Sequence, residues 1–202
     1  MGMISVISVD DHEMISLGLE QVFSETEDIR VCHFCKTKDE AASFIGSKTP
    51  EELRQTVAMV DIKLENESGF DAADFLIRNG VNCLMYSSFS NAGFVVKTME
   101  HKIKGFVSKN AGKSEILDAV RTVARGETYI QKDLIPSMMY VSSILVSLTK
   151  KERELLDLIS EHLPNEIIAA RLGISKRTVE NYVSRIFDKF NVKNRYELEK
   201  YL

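Results

Sequence analysis

Cysteine is scarce and odd in number, with only Cys32, Cys35 and Cys83. An odd count argues against a disulfide framework. Long apolar runs are missing too: no stretch approaches the roughly 20 residues that span a bilayer. The opening MGMISVISVDDH has neither a charged leader nor a small-residue cleavage site, so no signal peptide is expected. Internal repeats and low-complexity tracts are also absent, which sets aside repeat arrays and compositionally biased segments. What is present is ordinary for a globular protein: 202 residues, 44% hydrophobic and 28% charged. That length suits one large or two small domains. A cytoplasmic protein without a membrane segment is the expectation.

The net charge of −4 conceals an asymmetry. Residues 1–146 carry 15 Lys+Arg against 21 Asp+Glu, and residues 147–202 carry 11 against 9. A mildly basic tail is compatible with nucleic acid, although so small a surplus is weak support.

The first 126 residues alternate between two periods. Strand-like runs cover Ile4–Val9, Ile29–Phe34, Thr56–Val60, Cys83–Tyr86 and Lys104–Ser108. Helical spacing covers His12–Ser24, Lys38–Gly46, Phe70–Arg78, Ala92–His101 and Lys113–Arg125. Five β–α units with short joints predict an α/β domain with a parallel sheet covered on both faces, over residues 1–130. Residues 131–147 are not Gly/Ser-rich, so a helical junction starting near Pro136 is expected rather than a floppy linker. Its apolar face is drawn from Ile135, Met138, Met139, Ser142, Leu145 and Val146, either packing on its own domain or making an inter-domain or dimer contact. Residues 148–202 read as a small all-α domain. Thr149 and Glu152 form a capping box, Pro164 opens a second helix, Ser175 caps a third through Lys189, and Asn194 starts a fourth.

Four of the strand-like runs end in chemistry. Ile4–Val9 runs into Asp10 and Asp11, Thr56–Val60 into Asp61, Cys83–Tyr86 into Ser87, and Lys104–Ser108 into Lys109. As parallel strands of one sheet these share a carboxyl edge, where α/β sheets bind ligands. Three carboxylates, a hydroxyl and an ammonium suit Mg²⁺ plus a phosphoryl group. In that reading Asp11 and Asp61 supply carboxylates to the metal, Asp10 holds a bound water, and the Asp61 carboxylate takes up phosphate. Lys109 and Ser87 then contact phosphoryl oxygens. None of these residues is informative alone, since surface acids and lysines are common. Their order, each closing a strand, carries the reading.

The tail holds NEIIAARLGISKRTVENYV at 165–183. Ala169, Gly173 and Val179 have the spacing of a helix-turn-helix: a small residue where helices cross, a glycine for the tight turn, and an apolar lock. One face of the second helix shows Lys176, Arg177, Asn181, Arg185 and Lys189, suited to phosphates with one amide able to read a base. A plain helical bundle with solvated charges is the competing reading. Cys32-His33-Phe34-Cys35 invites a metal reading, but its cysteines fall on opposite faces of a strand and no second Cys/His cluster exists. Buried strand thiols are expected instead.

Residues 1–126 resemble the receiver domain of two-component response regulators, through DDH at Asp10–His12, MVDIKL around Asp61, YSS with Ser87, GFVSK ending at Lys109, and Gly69. Leu148–Leu202 resembles the LuxR-type domain of the NarL/FixJ branch, through LTKKERELL, EIIAARLGISKRTVENYVSRIFDKF and NVKNR. The resemblance implies a (βα)5 doubly wound receiver followed by a helix-turn-helix domain, and a DNA-binding transcription regulator rather than an enzyme. It implies Asp61 as phospho-acceptor, with Mg²⁺ held by Asp10, Asp11, Asp61 and the Lys63 carbonyl. Ser87 and Phe106 are implied as the switch pair beside Lys109. Lys63 and Phe89 occupy positions that tune phosphoryl lifetime. Glu180, Asn181 and Ser184 would face base edges, with Lys176, Arg177, Thr178, Arg185 and Lys189 nearer the backbone. The implied partners are double-stranded DNA, a sensor histidine kinase and a second copy in the active state. The chain departs from the pattern at Glu65, where proline is usual, so the loop 63–68 is expected to be polar and mobile. Tyr182 stands where histidine is frequent. A haloacid-dehalogenase-type phosphatase also places an Asp nucleophile at a strand end, but it needs a second Asp where this chain has Lys63, and a cap domain. DNA binding without phosphate control is the third reading, opposed by the intact acid, hydroxyl and lysine set.

Overall fold

Six parallel strands form one sheet in the order β2-β1-β3-β4-β5-β6. They are β1 (Ile4–Val9), β2 (Ile29–Cys35), β3 (Thr56–Val60), β4 (Asn82–Ser87), β5 (Gly105–Ser108) and β6 (Tyr129–Ile130). The computed structural model describes residues 2–88 and 91–202, so Phe89 lies outside the described residues. The chain divides into two compact units, residues 1–90 with 97–133, and residues 91–96 with 134–202.

Around the sheet run α1 (Glu13–Ser24), α2 (Lys38–Ile45), α3 (Pro50–Arg54), α4 (Gly69–Arg78), α5 (Ala92–Glu100) and α6 (Lys113–Ala124). β3 is buried along its length and β4 from Cys83 onward, as expected of central strands covered on both faces. Leu19 and Phe23 of α1 and Ile116, Val120 and Val123 of α6 pack in one buried cluster with Val6, Val57, Met59 and Leu84. Each such side chain contributes about 1.5–3 kcal/mol by leaving water. The expected doubly wound parallel sheet is therefore present. Two elements are additional. β6 has two residues, too few to show strand alternation, and α3 has five, too few to show helical spacing. Local chemistry marks α3 instead: Thr49 and Glu52 make a reciprocal capping box with Pro50 in the first turn.

Edge strand β2 carries a bulge. Val6 pairs Val31 and Ile7 pairs His33, leaving Cys32 as the extra residue. Cys32 is consequently exposed, not buried as expected, and its thiol donates to Val6 O at 3.2 Å. Cys35 and Cys83 are buried. Burial pushes the Cys35 thiol up to about 12 and the Cys83 thiol up as well, and partial covering of its sulfur raises that of Cys32, which disfavours the thiolate needed for metal or redox chemistry.

The second unit contains α7 (Ile135–Ser147), α8 (Lys150–Ser160), α9 (Asn165–Leu172), α10 (Lys176–Phe190) and α11 (Arg195–Leu198). The junction helix exists, and its inner face matches the expected one only in part, through Met138 and Leu145, which pack against the core. Val141 and Ile144 are buried with Leu155, Leu156, Ile186 and Phe190, while Met139 and Val146 are 64% and 81% exposed. The segment IPSMMYVSSILVS has no charge on any side, so spacing alone could not select the packed face.

Glu152 anchors this unit. Its carboxylate accepts from Thr149 N–H at 2.8 Å and meets Lys189 Nζ at 2.8 Å, while it is itself only 3% exposed. The Lys189 ammonium and the Thr149 amide hold its carboxyl down at about 2, against an ordinary 4.5. A depressed folded pKa makes this contribution complete above pH 4.5 and lost as pH falls toward 2. We expect Glu152→Ala to cost at least the ~1 kcal/mol of a lost cap. The variant should also show a flatter stability profile between those pH values than the parent, and parallel profiles in chemical denaturation would refute this.

Candidate functional site

The strand ends bring the acidic residues together as the sequence order requires. Asp10 N–H continues the ladder to Cys35 O, Asp61 N–H to Val9 O, and Lys109 N–H to Ser87 O, each at 2.9 Å. Each side chain therefore emerges just past its strand at the carboxyl edge, beside the β1/β3 point where the strand order reverses. Asp61 Oδ1 accepts from Ser87 Oγ at 2.7 Å, and Lys109 Nζ donates to Asp61 Oδ2 at 2.7 Å. Lys109 Nζ also lies 2.6 Å from Asp10 Oδ2. Asp10, Asp61 and the Lys109 side chain are nearly inaccessible, so this is a buried ion cluster rather than a surface pair.

Asp61 and Lys109 line a cavity of about 460 Å³ together with Asp11, His12, Lys63, Glu65 and Ser88. Asp10 Oδ2 and Asp11 Oδ1 are buried without a well-formed hydrogen bond, although Lys109 Nζ and His12 Nδ1 stand 2.6 and 2.8 Å from them. Charge proximity there lacks hydrogen-bond geometry. Three clustered carboxylates, two of them lining an open cavity, fit a hard divalent cation. Among the described residues, Asp10, Asp11, His12 and Asp61 are a set whose potential ligand atoms all lie within 4.8 Å of one another.

The loop after Asp61 is a closed turn. Lys63 bridges Ser68, Leu64 N–H donates to Glu67 O at 3.2 Å, and the Glu67 carboxylate accepts from Lys38 N–H at the start of α2. These bonds close the polar loop on itself and on the start of α2, with Glu65 in place of proline. Gly69 then starts α4 directly on the Asp61 carbonyl, where a Cβ would fall 1.7 Å from the oxygen. Phe106 does not join the pocket: it is fully buried in β5, in register with Met85 and Ile130. His12 is the pocket residue that the sequence reasoning did not single out. The signal was its place directly after the aspartate pair.

In the second unit α9 and α10 form the expected helix-turn-helix. Gly173 takes φ +64° at the end of α9, and Ile174 N–H reaches back to Ala169 O. Ser175 caps α10 by accepting from Thr178 N–H at 3.1 Å. Val179, Val183, Ile186 and Phe190 turn inward, and Lys176, Arg177, Glu180, Asn181, Ser184 and Arg185 are exposed, with Thr178 partly so. Arg185 lies over the Tyr182 ring at 5.7 Å, and Lys176 pairs with Glu166 at 2.7 Å. Lys189 differs from the rest: Glu152 and the Ser147 carbonyl hold its ammonium inside the unit. A DNA phosphate would have to compete with a buried carboxylate for that charge.

An acid–hydroxyl–lysine pocket at the carboxyl edge of a parallel sheet, followed by a helix-turn-helix, defines the two-domain response regulators. A model of the response regulator receiver domain matches residues 6–121, over half of the chain, and one of bacterial regulatory proteins of the luxR family matches residues 146–202. The chain belongs to the response-regulator family, with a receiver domain followed by a luxR-family DNA-binding domain. It is 27% identical over 195 residues to the transcriptional regulatory protein DesR of Bacillus subtilis, covering 96% of this chain and 94% of that one. It is 28% identical over 198 residues to the response regulator protein VraR of Staphylococcus aureus, covering 95% and 92%. The two-component response regulator RcsB in complex with DNA has the same fold, with a TM-score of 0.75 at 18% identity over 99% of this chain and 98% of that one. No helix among the described residues is long and apolar enough to cross a membrane.

Proposed function

We propose that this regulator is switched by phosphorylation of Asp61 and then binds double-stranded DNA as a homodimer in the cytoplasm. The regulatory part is assigned to residues 1–130, the junction to 131–147 and the DNA-reading part to 148–202. The observation that carries the proposal is the state of one carboxylate: Asp61 has a hydroxyl on one oxygen and an ammonium on the other, both at 2.7 Å. Those partners are placed to follow charge onto a phosphoryl group. An Asp61 oxygen attacks phosphorus, and the bond to the donor breaks with its electron pair leaving on the donor, a phosphorylated histidine of a sensor kinase. Lys109 then exchanges its carboxylate contact for a phosphoryl oxygen, and Ser87 donates to another. Asp10, Asp11, Asp61 and the Lys63 carbonyl would hold Mg²⁺, which when bound supplies the positive charge that lets an anion approach three carboxylates. Movement of Ser87 toward the phosphoryl group frees space that Phe106 fills, changing the surface beyond β5.

The exposed stripe of α10 supports the DNA reading. Glu180, Asn181 and Ser184 are assigned to base edges, and Lys176, Arg177, Thr178 and Arg185 to the backbone, with Lys189 a weaker assignment for the reason above. Two copies would read half-sites about one helical turn, roughly 34 Å, apart. Beryllofluoride with Mg²⁺ tests the switch, with Asp61→Asn as control. Dimerisation and a gain in DNA affinity are expected in the parent only, with affinity falling steeply as salt rises. Unchanged oligomeric state and DNA affinity in the parent would discard the switch and leave the DNA-binding claim standing.

A further inference from the structure

We propose that His12 Nδ1 is a direct ligand of the divalent cation in this pocket, so that the site prefers Mn²⁺ to Mg²⁺; the inference rests on the acidic pocket being a cation site. His12 follows the aspartate pair and is the residue from which α1 departs. Its backbone is extended, with φ −91° and ψ 100°, and its side chain does not cap the helix. Instead its backbone N–H donates to Asp10 Oδ1 at 2.9 Å, and the ring Nδ1 lies against the same oxygen at 3.0 Å. Nδ1 lies 2.8 Å from Asp11 Oδ1, 3.0 Å from Asp10 Oδ1 and 4.0 Å from Asp61 Oδ2.

Those separations match a coordination shell. Metal–ligand bonds of about 2.1 Å in an octahedron put neighbouring ligand atoms about 3.0 Å apart and opposite ones about 4.2 Å apart. The imidazole nitrogen thus stands at an edge distance from two carboxylate oxygens and close to a diagonal distance from a third. The ring is not a packing element, because its side chain is 64% exposed at the cavity mouth. Two buried carboxylate oxygens stand beside it, Asp11 Oδ1 against Nδ1 itself and Asp10 Oδ2 against the Lys109 ammonium at 2.6 Å. In the cation's absence the same ring serves as a hydrogen-bond partner of the carboxylates, and the two roles exclude each other at Nδ1.

The consequence is selectivity. A pocket of carboxylates, a carbonyl and water treats Mg²⁺ and Mn²⁺ as similar hard cations, whereas one imidazole favours the transition metal. The test is metal titration of the full chain with MnCl₂ and MgCl₂ by calorimetry, for the parent, His12→Ala and Asp11→Asn. Losing a ligand should weaken Mn²⁺ by at least the roughly 10- to 100-fold that follows loss of a ligand's supporting partner. Mg²⁺ should lose less, because water replaces the ring. Pulsed electron paramagnetic resonance of bound Mn²⁺ should show nitrogen coupling in the parent that disappears in His12→Ala. Equal losses for both metals, no loss, or no nitrogen coupling in the parent would overturn the assignment of His12 while leaving the cation site intact. Failure of Asp11→Asn to weaken either metal, or failure of the parent to bind any, would overturn the acidic cation site itself.

Discussion

Gly69→Ala will unfold or badly distort the receiver domain although it adds one methyl group. The new Cβ would stand 1.7 Å from the Asp61 carbonyl oxygen and 2.8 Å from its carbon, both backbone atoms that no rotamer change can move. Relief requires shifting the start of α4 away from β3 and breaking the bond from Gly69 N–H to Ile62 O. Overpacking against flexible side chains costs about 1–3 kcal/mol, and a backbone clash belongs above that range. Because the displaced carbonyl belongs to Asp61, beryllofluoride binding should fail along with stability. Gly18→Ala supplies the contrast. It lies inside α1, and a Cβ added there would meet nothing within 4 Å, so it should stabilise by about 0.5–1 kcal/mol. Thermal unfolding of the two variants should therefore move in opposite directions, and a Gly69→Ala melting temperature equal to that of the parent would refute the close approach.

Lys109→Met should destabilise the receiver nearly as strongly, through charge rather than volume. The ammonium lies within 2.7 Å of two carboxylates that are almost wholly buried. Removing it leaves Asp10 and Asp61 facing each other uncompensated, and breaking such a buried pair typically costs about 3–5 kcal/mol. Neutralising one acid in the same chain, Asp10→Asn with Lys109→Met, should recover part of the loss, because the penalty is the orphaned charge and not the missing stem. Divalent cation should also raise the melting temperature of Lys109→Met more than that of the parent, where a positive charge already sits in the cluster. Additive effects in denaturant titrations of the two single variants and the double variant would show that the cluster is not a coupled unit.

The strands that build the pocket were legible because each is a short apolar run closed by a polar residue. Thr56–Val60 before Asp61 has the observed limits, and β1 does as well. The helix-turn-helix was legible for a similar reason: Ala169, Gly173, Ser175 and Val179 act within one or two turns of themselves. β6 and α3 were not, since two residues show no strand alternation and five do not complete two helical turns. The bulge at Cys32 was hidden because it depends on how β2 registers against β1, a partner some 25 residues away in sequence. The same limit applied to α7, whose uniformly apolar sequence left its packed face to Val141 and Ile144.

Sequence order alone thus determined that three aspartates, a serine and a lysine close strands of one parallel sheet, and that an exposed basic stripe follows a tight glycine turn. Only the tertiary structure decided that His12 turns into the carboxylates, that Lys189 is drawn back to Glu152, and that Gly69 rests on the Asp61 carbonyl. The physical reason is range. Hydrophobic period, caps and turns are settled by neighbours a few bonds away, whereas the direction of a long polar side chain is settled by whichever opposite charge the folded chain brings within about 3 Å of it.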